Sequence, residues 1–146
     1  MSVETQFRLA LLGVSAVAAL IGDRLYPVTF AERTAFPAVA YQRISTQKLY
    51  SNDQLANTRW GTNGWARIQL TIAGDGASGY AQAIAVAAAI RDALKTFNIG
   101  SDQTSPPALA GAPNFVLNEW DSVQPNTVPP KFLRFMDVKV FLQEGV

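Results

Sequence analysis

Residues 67–94, RIQLTIAGDGASGYAQAIAVAAAIRDAL, give the clearest indication of the fold, because their hydrophobic period changes partway along. From Ala66 to Ile72, every second residue is apolar, and this period of two indicates a strand with one buried face. After Gly79 the apolar residues recur instead at the spacing of an α-helix. The pattern predicts a strand over residues 65–72 and a helix over about 79–97, with an apolar face made of Ala83, Val86, Ala87, Ile90, Ala93, Leu94 and Phe97.

Three glycines between these two elements form the pattern G-x-G-x-x-G, with Gly74, Gly76 and Gly79. In dinucleotide-binding proteins this pattern follows a strand that is buried on both faces, and an acidic residue ends the next parallel strand. Here the preceding strand alternates, and neither Asp92 nor Asp102 ends a predicted strand. We therefore interpret Gly74 and Gly76 as the turn and Ser78 as the cap of the helix, and we keep a nucleotide-binding domain or small enzyme that uses this turn as the alternative function.

Composition limits the chemistry that is open to this chain of 146 residues. It contains no Cys and no His, which removes thiolate catalysis, Cys-based zinc sites and the commonest general base. The formal net charge of +1 gives no basic excess that would favour nucleic-acid binding. About half of the residues, 49%, are hydrophobic, as expected for a globular domain, and we expect no cofactor and no catalytic or metal site.

Residues 9–22, LALLGVSAVAALIG, resemble the apolar region of a signal peptide and follow Arg8. However, an acidic residue, Glu4, lies where such a peptide is basic. One helical stripe also contains Phe7, Leu11, Val14, Ala18 and Ile21. We interpret residues 3–21 as one core-facing helix that ends at Gly22, and an exported binding module is the less favoured hypothesis.

The remaining strands are predicted over residues 38–45, 114–122 and 131–143, so the element order is α-β-β-α-β-β. This order predicts an α+β fold in which a four-stranded, mainly antiparallel sheet carries two helices on one face. We expect a single domain over residues 1–146. It would have a long polar arm at about 46–64 and a long loop at about 98–113 that is rich in Pro, Gly and Ser.

Two groups of side chains could act outside the core. Glu119 and Asp121 lie two apart on a strand and therefore share a face, as a pair of catalytic carboxylates could, but a solvated strand face is the simpler interpretation. Trp60 and Trp65 lie near Arg59 and Arg67, a combination that stacks on single-stranded nucleic acid or fills a protein interface. With a near-neutral charge, packing or a protein interface is favoured.

Four stretches combine into a more specific pattern: G-D-R-L-Y-P at residues 22–27, F-P-A-V-A-Y-Q-R-I at 36–44, the strand, turn and Ala-rich helix at 65–94, and the closing strand at 135–142. Together they resemble the tail completion family of long-tailed bacteriophages, the small proteins that terminate the tail or join it to the head.

The resemblance implies a structural virion protein of the tail or neck, assembled in the host cytoplasm, without enzymatic activity and without a membrane. It implies a homo-oligomeric ring, a hexamer, that contacts the head–tail connector or adaptor and the tail tube protein. DNA would pass through the lumen without specific binding. Because exposed large apolar residues mark interfaces, we expect the first interface candidates at Leu49, Tyr50, Trp60 and Trp65.

Overall fold

The computed structural model describes residues 3–48, 63–95, 115–124 and 131–143. Within them the chain forms helices and strands in the order α1, α2, β1, β2, β3, α3, β4, β5. The helices are α1 (Val3–Leu12), α2 (Ser15–Ile21) and α3 (Gly79–Ala93). The strands are β1 (Leu25–Pro27), β2 (Ala38–Lys48), β3 (Asn63–Asp75), β4 (Phe115–Gln124) and β5 (Lys131–Gln143).

The sheet is mixed and has five strands in the order β1-β2-β3-β5-β4, where four antiparallel strands were predicted. The α+β class is confirmed, and β2, β3, β5 and β4 pair antiparallel as expected. The additional strand β1 pairs parallel with β2, opposite residues Val39–Tyr41. Three residues are too few to show a period of two, so this pairing could not be read from the sequence.

The predicted first helix is broken into α1 and α2, which are bent by 90° at Gly13 and Val14. Val14 has an extended backbone, with φ −85° and ψ 117°, which interrupts the helical path. The bend brings Val17 into the core, whereas Val14 and Ala18 stay partly exposed. The predicted stripe is therefore confirmed at Phe7, Leu11 and Ile21, whereas the single straight helix was wrong, because the prediction assumed one axis.

One hydrophobic core lies between the helices and one face of the sheet. Helix α3 packs on β3 and β5, α2 packs on α3, and α1 packs on α2. The predicted alternation in β3 is confirmed, because Ala66, Ile68, Leu70 and Ile72 are all fully buried in this core. Facing side chains come from the helices and from β5, namely Phe7, Leu11, Val17, Ile21, Val86, Ile90, Met136, Val138 and Val140.

The strands beside the predicted arm are longer than the sequence indicated. Residues 46–48 of β2 pair with residues 64–66 of β3, so the hairpin extends into both ends of the arm. Residues 49–62 lie outside the described residues, as does the predicted loop at 98–113. Helix α3 ends at Ala93, whereas the pattern predicted about residue 97.

Candidate functional site

The three glycines of the G-x-G-x-x-G pattern are explained by backbone packing at the junction of β3 and α3. A Cβ atom on Gly74 would lie 2.2 Å from the carbonyl oxygen of Gly79, so the strand end and the helix start touch through their main chains. Gly76 has φ +75°, a left-handed conformation that favours glycine. Each glycine therefore has a structural reason that involves no ligand.

The start of α3 is also covered by a side chain of the neighbouring strand. A Cβ on Gly79 would lie 2.8 Å from Cδ2 of Phe132, and the ring of Phe132 packs edge-on against Tyr80 with centroids 6.2 Å apart. The amide of Gly79 donates to the carbonyl of Gly76 at 3.1 Å. The strand before the turn is part of a mixed sheet with no βαβ unit in the described ranges, so the nucleotide-binding alternative has no support here.

The predicted helix cap at Ser78 has the expected position but not the expected hydrogen bond. Ser78 precedes α3, yet its hydroxyl makes no capping bond to the backbone. Instead the Ser78 hydroxyl accepts a hydrogen bond of 3.2 Å from Nε2 of Gln82. The sequence pattern thus located the helix start but misassigned the role of this side chain.

A network of four charged side chains joins α3 to strands β4 and β5. Arg91 of α3 donates two hydrogen bonds of 2.9 Å to the carboxylate of Glu119 on β4. Arg134 of β5 donates to Glu119 at 2.8 Å and to Asp121 at 2.9 Å. Glu119 and Asp121 share a face, as predicted, but Glu119 is largely buried, contrary to a solvated pair. The partners were missed because they are distant in the sequence.

The network holds Glu119 in its ionised form. Hydrogen bonds from Arg91, and then from Arg134, lower the pKa of Glu119 below its ordinary value, although burial opposes them. The bond to Glu119 in turn raises the pKa values of Arg91 and Arg134. A carboxylate fixed by two guanidinium groups is a poor proton donor or acceptor near neutral pH, so this arrangement is suited to fastening the helix to the sheet and not to acid–base catalysis.

The sheet face opposite the helices carries a second ion pair and an aromatic stack. Arg67 donates to Asp137, whose side chain is almost fully buried, and the other carboxylate oxygen of Asp137 has no hydrogen-bond partner among the described residues. Nearby on this face, Trp120 and Phe135 stack with centroids 5.2 Å apart and planes 15° apart. Arg67 is therefore occupied by a carboxylate, which weakens the hypothesis that it stacks on nucleic acid with Trp65.

The motif at residues 22–27 is tied to the motif at 36–44 by Arg24. Its guanidinium donates to the carbonyl of Pro37 at 2.9 Å and to that of Leu20 at 3.2 Å. Gly22 ends α2 with φ 60°, as predicted. The two stretches that carry the family resemblance therefore form one structural unit, in which β1 lies beside β2.

Three of the four predicted interface residues lie outside the part of the chain that the structure describes. Leu49, Tyr50 and Trp60 are outside the described residues. The backbone of Trp65 lies in the central strand β3, opposite Gln47 and Phe141. The interface role of all four residues stays a prediction.

Two further observations concern metals and membranes. Within residues 3–48, 63–95, 115–124 and 131–143, no group of three or more acidic side chains could hold a metal ion. In the same part of the chain, no single helix is long and apolar enough to cross a membrane, although the bent pair of Glu4–Leu12 and Ser15–Ile21 meets that test when taken together.

The sequence model of the family "Tail completion protein gp17" matches residues 5–122, which is most of the chain. No curated protein sequence matches. Among solved structures, a chain from the "Virion of native gene transfer agent (GTA) particle" has a similar fold. The TM-score is 0.61 at 17% identity, and the alignment covers 97% of this chain and 92% of that one. At this identity the likeness shows the fold alone.

The family match carries the assignment, and the shared fold agrees with it. The motifs at residues 22–27 and 36–44, the glycine turn and most of β4 all fall inside the matched region. The chain therefore belongs to the tail completion protein gp17 family and is a structural protein of the virion tail or neck that completes the tail or joins it to the head.

Proposed function

We propose that the protein forms a homo-oligomeric ring of six copies at the head-proximal end of the tail or at the head–tail junction. The observation that carries this proposal is the family match over residues 5–122. A protein that ends or joins a tube must repeat around the axis of that tube, and repeated copies of one chain form such a closed ring through heterologous contacts.

The ring would be a mechanical joint without catalysis. Its two rims would contact the head–tail connector or adaptor on one side and the tail tube protein on the other. The charged side chains described above support this role, because Arg91, Arg134 and Arg67 are all engaged by carboxylates of the same chain. Such pairs fasten elements of the fold together, as a mechanical joint requires.

We propose further that DNA passes through the lumen without specific binding. The formal net charge of +1 supports this, because tight phosphate binding requires several unpaired Lys or Arg side chains. Each contact between neighbouring copies should bury roughly 800 Å² per partner if it is of standard size.

The test is the oligomeric state and the position of the protein in an assembled particle. Native mass spectrometry of the purified chain should show a hexamer, and cryo-electron microscopy of the particle should show one ring between the head and the tail tube. A particle in which this protein is found only as isolated single copies, or away from the neck and tail end, would contradict the proposal.

A further inference from the structure

We propose that neighbouring copies join by pairing their sheet edges: the outer edge of β4 in one copy pairs with residues 42–48 of β2 in the next. This inference rests on the ring proposed above and names the surface that closes it.

Both edges expose backbone in the part of the chain that the structure describes. Strand β4 is last in the sheet order, with β5 as its neighbour. At the opposite edge, β1 pairs with β2 only as far as Tyr41. The amide of Val28 still donates to the carbonyl of Tyr41 at 2.8 Å, but Val28 has φ 64° and turns the chain away. From Gln42 onward, β2 therefore presents an outer edge, and such edges recruit strands from other chains.

The same two edges carry half of the exposed large apolar side chains in the described residues. On β4, Leu117, Trp120 and Val123 are 51%, 37% and 51% exposed, and on β2 Ile44 is 40% exposed. Strand β4 also contains no Lys, Arg or Pro. Proteins commonly place Lys or Pro on an edge strand to prevent pairing, and β4 has neither, although it has two acidic residues and a bulge at Leu117.

Charge favours pairing of unlike edges. Strand β4 carries Glu119 and Asp121 and no basic residue, whereas residues 42–48 carry Arg43 and Lys48 and no acidic one, although Arg43 already pairs with Glu4 at 2.8 Å. Asp121 stays 43% exposed while it is paired with Arg134. Two β4 edges would bring acidic residues together, and two β2 edges would bring basic residues together. A head-to-tail contact brings opposite charges together.

Strand direction is compatible with a closed ring. Strand β4 runs antiparallel to β5, β5 to β3, and β3 to β2, so β4 and β2 run in opposite directions within one copy. Rotation about an axis close to the strand direction leaves that direction unchanged. The β2 strand of a rotated copy therefore meets β4 in antiparallel orientation, and repetition of this heterologous contact closes a ring.

The experiment uses one variant for each edge and a control away from both. Leu117→Lys/Val123→Lys places two lysines on the β4 edge, and Ile44→Lys places one on the β2 edge. The control Ile84→Lys changes an apolar side chain of α3 that is 39% exposed. All substituted side chains are exposed, so thermal melting should stay close to that of the wild type.

Native mass spectrometry of the full-length chain then measures assembly. Each edge variant should need a protein concentration about tenfold higher or more to form the ring, whereas Ile84→Lys should assemble like the wild type. An equimolar mixture of the two edge variants should form a dimer with one copy of each, because the mixture retains one intact β4 edge and one intact β2 edge.

The outcomes separate this inference from the proposed function. If the wild type forms a ring and the β4 variant forms it equally well, the edge-pairing inference is wrong, whereas the proposed ring is still supported. If the edge variants fail to form the mixed dimer, the head-to-tail arrangement is wrong. Equal loss of assembly in Ile84→Lys would place the contact on α3 and also overturn the inference. A wild-type chain that never forms a ring, alone or in particles, would overturn both proposals.

Discussion

The two faces of the sheet are built from alternate residues of the same strands, yet they differ in what holds them. On the face covered by helices, Ile68 and Leu70 of β3 are fully buried among apolar side chains. On the open face, Arg67 is exposed and pairs with Asp137 of β5. The comparison shows that the covered face is stabilised by apolar packing, whereas the open face is held by local pairs of side chains.

The covered face depends first on how closely α3 can approach it. Replacing Gly74 with Ala would place a Cβ atom 2.2 Å from the carbonyl oxygen of Gly79 and force the helix from the strand. We expect the free energy of unfolding in urea to fall by more than about 3 kcal/mol.

The matched control is Gly76→Ala, at a position with open space but φ +75°. This variant should lower the free energy of unfolding by only about 1–2 kcal/mol, from backbone strain alone. Equal losses in the two variants would show that the close contact between Gly74 and Gly79 contributes nothing.

The second prediction compares neighbouring residues on opposite faces of β3. Leu70→Ala removes a fully buried side chain and should lower the free energy of unfolding by about 2–5 kcal/mol. Gln69→Ala changes the open face and should alter the free energy of unfolding by less than about 0.5 kcal/mol. Urea denaturation of both variants measures the difference, and similar values would remove the distinction between the faces.

The third prediction concerns the ion pair of the open face. Arg67→Met leaves the carboxylate of Asp137 buried without its cation and should destabilise the fold by about 1–3 kcal/mol, less than for a fully buried pair because Arg67 is half exposed. Adding Asp137→Asn should recover part of this loss, because the buried charge is then absent. Strict additivity in the double-mutant cycle would show that the pair contributes no coupling energy.

The smallest effect is expected at the edge of the covered face, in the network around Glu119. Because the arginines lower the pKa of Glu119 in the folded state, the unfolded chain takes up its proton first as the pH falls. The stabilisation is therefore complete above the ordinary pKa of Glu, about 4.3, and is lost as the pH falls through the lowered value.

The variant Glu119→Gln tests this sign. It should be less stable than the wild type by about 1 kcal/mol near neutral pH, with a difference that shrinks as the pH falls below about 4. A difference in unfolding free energy that stays constant or grows in acid would contradict the ion-pair assignment.

Sequence reasoning succeeded where a short period was repeated. The alternation in β3, the helical spacing of α3 and the closing strand over residues 131–143 were all predicted, because a face that must be buried leaves a regular pattern. It failed at the bend between α1 and α2 and at β1. A one-dimensional pattern cannot show a change of axis, and a strand of three residues has no period.

In the candidate site too, local features were predicted, whereas contacts between distant residues were not. The glycine turn was correctly interpreted as structural, but the reason at Gly74 and Gly79 is contact between two backbone segments. Glu119 and Asp121 were noticed as a pair, whereas Arg91 and Arg134 were not, since their relation to Glu119 exists only in the folded sheet.

The class of fold, the positions of the regular strands and of α3, and the family could all be predicted, because they follow from residue order and local periodicity. The folded chain was needed to show the sheet order, the parallel β1, the broken first helix and the partners of the charged side chains. These features depend on packing between residues far apart in the chain, and no local pattern encodes such contacts.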